Sequence, residues 1–163
     1  MHTTIRPLDA ASDLPLVEGF HREAPDYWLF AEGCAPDAAK ASAFFTDGPP
    51  GCDPARSHRL GLFEGDRLAG VAELSFGFPQ PEDAYLGLMI LAPRVQGRGH
   101  GARFLTHIEA LARAARAPRL FLAVLEANTR ARTFWEREGF AATGLSRHDA
   151  GTGHRVHRPV KPL

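Results

Sequence analysis

The chain is short of lysine and cysteine and has no long apolar run, and each shortage excludes a class of protein. Lysine occurs only as Lys40 and Lys161. A phosphate loop of the form G-x-x-x-x-G-K-[ST] is therefore excluded, because no lysine closes the one glycine-rich turn. Cysteine occurs only as Cys34 and Cys52, with none of the C-x-x-C spacing of a zinc site, and no metal is expected. The pair reads as reduced thiols of a cytoplasmic protein rather than as a disulfide. No apolar stretch approaches the roughly 20 residues of a membrane span. The first residues, Met1-His2-Thr3-Thr4-Ile5-Arg6, lack the apolar segment of a signal peptide. Nor is there an excess of either charge. Lysine and arginine number 19, aspartate and glutamate 19, for a formal net charge of 0, so no overall field draws the chain to nucleic acid or to a membrane surface. With 163 residues, a single domain spanning 1–163 has length enough for a real core.

What is present centres on residues 86–103. Leu86-Gly87-Leu88-Met89-Ile90-Leu91 is a continuous apolar run, the mark of a buried strand. Pro93 ends it, since proline has no N–H for a ladder. Gln96-Gly97-Arg98-Gly99-His100-Gly101-Ala102 follows. Beyond it Leu105, Ile108, Leu111, Ala112 and Ala115 recur on one face of a helix. A strand thus feeds a glycine-rich turn that opens a helix. Alternate glycines leave backbone N–H groups bare, and at a helix N-terminus such groups make an anion site. Arg94, Arg98 and Arg103 add positive charge. The turn is read as a seat for a pyrophosphate.

Along the rest of the chain, Thr3-Thr4-Ile5-Arg6 predicts a first strand ending at Pro7. Ser12-Asp13 is expected to cap a helix over 14–23, with Leu14, Val17 and Phe20 inward. Tyr27-Trp28-Leu29-Phe30 is taken as a connecting segment whose aromatics either flap over the core or wall a pocket, ligand pockets being mostly apolar and aromatic. A second helix is expected over 36–45 and a Pro/Gly loop over 47–54. Residues 60–63 and 68–76 read as a hairpin about Glu64-Gly65-Asp66-Arg67. The central strand, 85–91, leads to a helix over 101–117. A buried strand over 120–125 and a short helix from Asn128-Thr129 to Gly139 come next, then a final hairpin of 140–147 and 154–160. The expected architecture is α/β: one mixed sheet, antiparallel in its N-terminal part and parallel about the glycine turn, flanked by helices.

Gly97, Gly99 and Ala102 match the dinucleotide pattern G-x-G-x-x-G/A literally, which keeps a small oxidoreductase among the readings. That fingerprint normally opens a long βαβ series, whereas this turn comes late, with about sixty residues left. A second resemblance is more specific. Leu91-x-Pro93-x-x-Gln96-Gly97-Arg98-Gly99-His100-Gly101 resembles motif A of the GNAT acetyltransferase superfamily, [Q/R]-x-x-G-x-[G/A]. Asn128-x-x-Ala131-x-x-Phe134-Trp135-Glu136-Arg137-x-Gly139-Phe140 resembles that family's second signature. The resemblance implies acetyl-CoA as co-substrate. Gln96 would begin the turn, and the backbone of Gly97, Arg98, Gly99, His100, Gly101 and Ala102 would hold the diphosphate. Met89, Ile90 and Leu91 would offer main-chain groups to the pantetheine arm beside a splayed strand, with Asn128 reaching it from the other side. Arg103, Arg130 or Arg132 would meet the terminal phosphate.

The implied reaction moves an acetyl group from a thioester directly to a primary amine, on a small molecule or an exposed peptide amino group. An alkyl ammonium near pKa 10.4 must lose a proton, costing about 4.6 kcal/mol at pH 7, while expelling a cysteine-like thiolate costs about 2 kcal/mol. A base therefore matters more than an acid. The family's usual acid is a tyrosine where this chain has Trp135; indole donates no useful proton, and Trp135 is expected to pack against the pantetheine arm. This departure keeps a non-catalytic acyl-CoA-binding or sensing module in play. Glu73, inside the apolar Val71-Ala72-Glu73-Leu74, is the first candidate for the base and Tyr85 the second. Asp83 is a third; of the histidines that could act as bases, His107 is expected on the solvent side of the long helix, and His21 and His148 have no motif context. Tyr27 and Trp28 are expected on the acceptor side, and a homodimer is compatible with the reading.

Overall fold

The computed structural model describes residues 2–163. Strands β1 (Thr3–Pro7), β2 (His58–Glu64), β3 (Arg67–Phe76) and β4 (Ala84–Leu91) pair antiparallel in sequence order. Strand β5 (Arg119–Leu122) then runs parallel to β4, and β9 (Val160–Pro162) closes the six-stranded sheet. Three short strands, β6 (Val124–Leu125), β7 (Ser146–His148) and β8 (Arg155–His157), form a second sheet in the order β6-β8-β7. The helices are α1 (Ala10–Glu23), α2 (Asp26–Glu32), α3 (Ala38–Ala43), α4 (His100–Ala114) and α5 (Thr129–Arg137). The fold is mixed α/β, its sheet mostly antiparallel with one parallel pair, as the element order implies.

β3 is buried along nearly its whole length, as a strand covered on both faces must be. Val17 and Phe20 from α1, and Phe104, Leu105 and Ile108 from α4, join its side chains in one core. The β2–β3 hairpin turns at Gly65-Asp66 with Glu64 opposite Arg67, as expected.

Several local expectations change. α1 starts at Ala10, not 14, because Asp9 is its cap: its Oδ1 accepts from the Ala11 N–H at 3.0 Å. Asp13 is buried instead, accepting from the Asp9 N–H at 2.8 Å and from Arg6 at 3.0 and 3.1 Å. Tyr27-Trp28-Leu29-Phe30 is not a connection but the body of α2, which Gly33 ends at φ 79°. The second helix shrinks to α3, capped by Asp37. α4 ends at Ala114 rather than 117, just before Arg116 turns to φ 63°. The strand expected over 120–125 is broken at Ala123 into β5 and β6, which belong to different sheets. The final hairpin survives only as β7 and β8. Pro159, without an N–H, separates β8 from β9, and residues 140–145 keep one bridge, Ala141 to Val160.

Two of these features open the sheet. β3 and β4 slip register between Glu73 opposite Leu88 and Leu74 opposite Leu86, so Gly87 is an unpaired bulge residue. β4 and β5 pair only over Ala84–Leu86, after which β5 gives way to β6 in the other sheet. From Gly87 onward the β5-facing edge of β4 is free. The strands part as a fork with the bulge at its crotch.

Candidate active site

Glu73 stands at that crotch. Its carboxylate is buried, with Oε1 accepting from the Ser75 hydroxyl at 2.8 Å and Oε2 from the Gly87 N–H at 3.2 Å. The alternation of a strand would equally have allowed an outward residue; the hydrogen bond to the bulge shows which way this one points. Arg59, directly opposite on β2, brings Nη1 to 3.7 Å of the same carboxylate. Burial pushes the Glu73 carboxyl above its ordinary value, against the hydrogen bond from Ser75, the Arg59 charge and the Gly87 N–H. A Cβ on Gly48, in the Pro/Gly loop, would lie 3.3 Å from Oε1 and from the Ser75 hydroxyl, so the loop backbone roofs the carboxylate.

A cavity of about 690 Å³ opens in front of this group. Glu73, Tyr85, Gly87 and Leu88 line it together with Ala123, the residue at the β5–β6 break. Trp28, Phe44, Phe78 and Pro50 supply apolar wall. The structure thus brings together three of the residues singled out in the sequence: Glu73, Tyr85 and Trp28. Burial raises the Tyr85 phenol, while Arg158 and Arg147 beside it hold it down. Tyr27 does not line the cavity; it packs edge-on to Trp28 at 5.0 Å between ring centres and lies against the core. The helical turn of α2 sends neighbouring side chains to different faces, which a connecting segment would not.

The glycine turn sits past the other end of β4. Pro93–Val95 form a short 3₁₀ turn, and Gln96 donates from Nε2 to the Leu91 carbonyl at 2.9 Å. Gly97 and Gly99 have φ of 74° and 83°, and a Cβ on either would meet nothing within 4 Å. This left-handed backbone is natural to glycine and faces open space. The first bond of the helical ladder runs from the Arg103 N–H to the Gly99 carbonyl at 3.2 Å. The amides of His100, Gly101 and Ala102 precede it, as in any first helical turn. Gly101 is buried where a Cβ would come within 3.3 Å of Phe134 on α5, which locks the turn to that helix. Exposed Arg98 and half-buried His100 stand within the turn. Along the free edge of β4, Met89 and Leu91 are half-buried and Ile90 is buried.

The expectations for Arg94, Arg103 and Asp83 are corrected. Arg94 adds no free charge to the turn. It is held by Glu23 at 2.6 Å, Glu64 at 3.1 Å and the Leu68 carbonyl at 3.1 Å. Arg103 is turned away to β1, where it donates to Thr3. Asp83 is fully buried and gripped by Arg119 at 2.9 and 3.1 Å, a structural pair rather than a base. Asn128 caps α5, accepting from the Ala131 N–H at 3.1 Å. Trp135 packs on Phe134 and Phe140 at 4.9 and 5.4 Å and borders a smaller cavity of about 270 Å³ that does not include Glu73. His21 is buried beside Trp28, and His148 lies on exposed β7. Arg59 was not singled out from sequence. The available signal was hairpin counting, which places an arginine in one apolar strand against a glutamate in the next. Among the described residues no three potential ligands cluster as a metal site, and no helix is long and apolar enough to cross a membrane.

Residues 18–140 match the Acetyltransferase (GNAT) family model, and the chain belongs to that family. An acetyltransferase from Thermus thermophilus superposes with a TM-score of 0.76 at 25% identity, covering 100% of this chain and 98% of that one. The PaiA N-acetyltransferase from Thermoplasma acidophilum, in complex with coenzyme A, shares the fold with a TM-score of 0.72 at 19% identity over 100% of both chains. The ribosomal-protein-S18-alanine N-acetyltransferase from Escherichia coli does so with a TM-score of 0.74 at 18% identity, over 99% of this chain and 94% of that one.

Proposed function

We propose that the protein is an acetyl-CoA-dependent N-acetyltransferase that acylates a primary amine by direct transfer, with Glu73 as general base. One observation carries the reading: a buried carboxylate, raised by its burial, hydrogen-bonds the bulge amide where β4 leaves β5, inside a cavity large enough for an acceptor. The residues present suit the carrier. Open amides at Gly97, Gly99, Gly101 and Ala102 fit a diphosphate, and the unpaired edge of β4 at Met89, Ile90 and Leu91 fits an extended arm carrying amide groups. Gln96 already occupies one lone pair of the Leu91 carbonyl, leaving the other for such an arm. Bound there, acetyl-CoA supplies an activated thioester.

The chain's own residues do the rest. Glu73 takes the ammonium proton, directly or through a water, so that the amine presents its lone pair. An N–C bond to the acetyl group forms, the C–S bond breaks, and the nitrogen releases its second proton to solvent as the neutral amide forms. The thiolate departs and is protonated from solvent, the cheaper of the two proton problems at neutral pH. Tyr85, on the same wall, orients the amine. Trp135 serves packing and not proton transfer. The two free cysteines, Cys34 and Cys52, suit a reducing compartment such as the cytoplasm.

The test is twofold. In thermal-shift titrations acetyl-CoA and CoA should stabilise the protein and NAD(P)H should not; stabilisation by NAD(P)H alone would reject the ligand. A thiol-release assay over a panel of primary amines should show turnover above hydrolysis. Tight acetyl-CoA binding with no release across the panel would favour a sensing module.

A further inference from the structure

The charges lining the cavity are matched on one side and unmatched on the other. On the α3 side Lys40 pairs with Glu32 at 2.8 Å, and Arg59 faces Glu73 with Asp47 nearby. On the β7–β8 side the lining holds Arg147, His157 and Arg158 and no carboxylate. His157 is engaged by Glu126 at 3.0 Å. Neither Arg147 nor Arg158 has an ion-pair partner among the described residues. Asp149, the acid nearest to Arg147 in sequence, is outside the cavity lining and bound to Thr152 at 3.0 Å and the Gly151 N–H at 3.2 Å. Arg158 is half-buried and lies over the Phe78 ring, 4.8 Å from its centre, which fixes a cation against an aromatic wall. Tyr85 meets the same Phe78 ring edge-on, at 5.2 Å between centres.

From this we infer that the acceptor is a free amino acid, or a molecule built like one, whose carboxylate is received by Arg158 and Arg147 while its amine faces Glu73. The inference rests on the acetyl-transfer reading above. Two guanidinium groups and a buried base lining one cavity match a zwitterion, carboxylate to the arginines and amine to the base. A neutral or doubly cationic amine leaves the arginines unanswered. Trp28, Phe44 and Phe78 offer the side chain an apolar surface, which favours acids with medium to large apolar side chains over glycine.

The experiment compares kcat/KM for free apolar amino acids with that for their amides, in wild type and in Arg158→Gln, Arg147→Gln and Arg158→Lys, each checked for fold by circular dichroism. The free acids should be preferred by about 10- to 100-fold, the range of a charge-assisted hydrogen bond. In Arg158→Gln that ratio should collapse toward one through KM for the acid, with partial recovery in Arg158→Lys. Arg147→Gln should lower it less, because Arg147 is exposed. Amides consumed as well as acids, or arginine variants that slow both equally, would overturn the inference while leaving the transferase reading intact. Absence of thiol release with every amine would remove the transferase reading and this one with it.

Discussion

Gly87→Ala should disable the base without disturbing the fold. The backbone at 87 is not left-handed, so an L-residue is allowed there; the obstacle is the carboxylate. A Cβ on Gly87 would come within 3.0 Å of the Glu73 Cδ and 3.3 Å of Oε1, and nearer still to Oε2, where ordinary contact starts at 3.4 Å. The carboxylate must retreat toward Gly48, and its 3.2 Å bond from the Gly87 N–H is lost. A hydrogen bond to a charged group is worth about 1.5–3 kcal/mol, and displacing a catalytic group by about 1 Å costs on the order of 10²-fold. A fall in kcat of about 10- to 100-fold is expected. The affinity for CoA should change less than about threefold, because the glycine turn is remote from the bulge. The decisive measurement is a double-mutant cycle by thiol release and calorimetry. In a Glu73→Gln background, Gly87→Ala should cost less than about twofold, since both act through one carboxylate. Fully additive losses would show that Gly87 acts on something else and would refute the assignment.

Glu73→Gln alone should lower kcat by about 10²- to 10⁴-fold, the usual contribution of a general base. Because burial raises this carboxyl, the base form appears only as pH climbs through the raised value. The acidic limb of kcat/KM should therefore lie above the ordinary glutamate range in wild type and vanish in the variant. Gly99→Leu should weaken CoA binding more than about tenfold by calorimetry, since the new side chain must stand before the open amides at φ 83°. Its left-handed strain of about 1–2 kcal/mol should lower Tm by only about 2–8 °C. Unchanged affinity would place the diphosphate elsewhere. Arg59→Ala strips a buried guanidinium from Glu73 and from the Phe44 and Asp47 carbonyls. A loss of about 3 kcal/mol, or about 6–12 °C in Tm, should follow in thermal denaturation; a shift under about 2 °C would show the pin to be idle.

Where local chemistry decided the structure, the residues could be read directly. Leu86 to Leu91, Pro93 and the alternate glycines specified strand, stop and helix start without help from the rest of the chain. The hairpin at Gly65-Asp66 was equally local. Tertiary competition was harder to foresee. Asp9 took the cap of α1 only because Asp13 was drawn back by Arg6. Tyr27-Trp28-Leu29-Phe30 coiled into α2 because Gly33 gave it an end. The acid at the fork was legible as an odd residue in an apolar strand, but its direction was set by a register slip at Gly87 that no pattern of period two announces. The basic wall was invisible for a similar reason, since Arg147 and Arg158 meet only when β7 and β8 pair across a long turn.

Arg59 binds two things at once. Its Nη1 donates to the carbonyls of Phe44 and Asp47, at 2.7 and 2.5 Å, and the same nitrogen faces the Glu73 carboxylate. The loop that Gly48 leads into cannot lift away without loosening this guanidinium, and loosening it removes the positive neighbour that favours an ionised acid. The backbone that roofs the acid and the charge that offsets its burial therefore hang on one side chain, so that a change at Arg59 is felt by loop and carboxylate together.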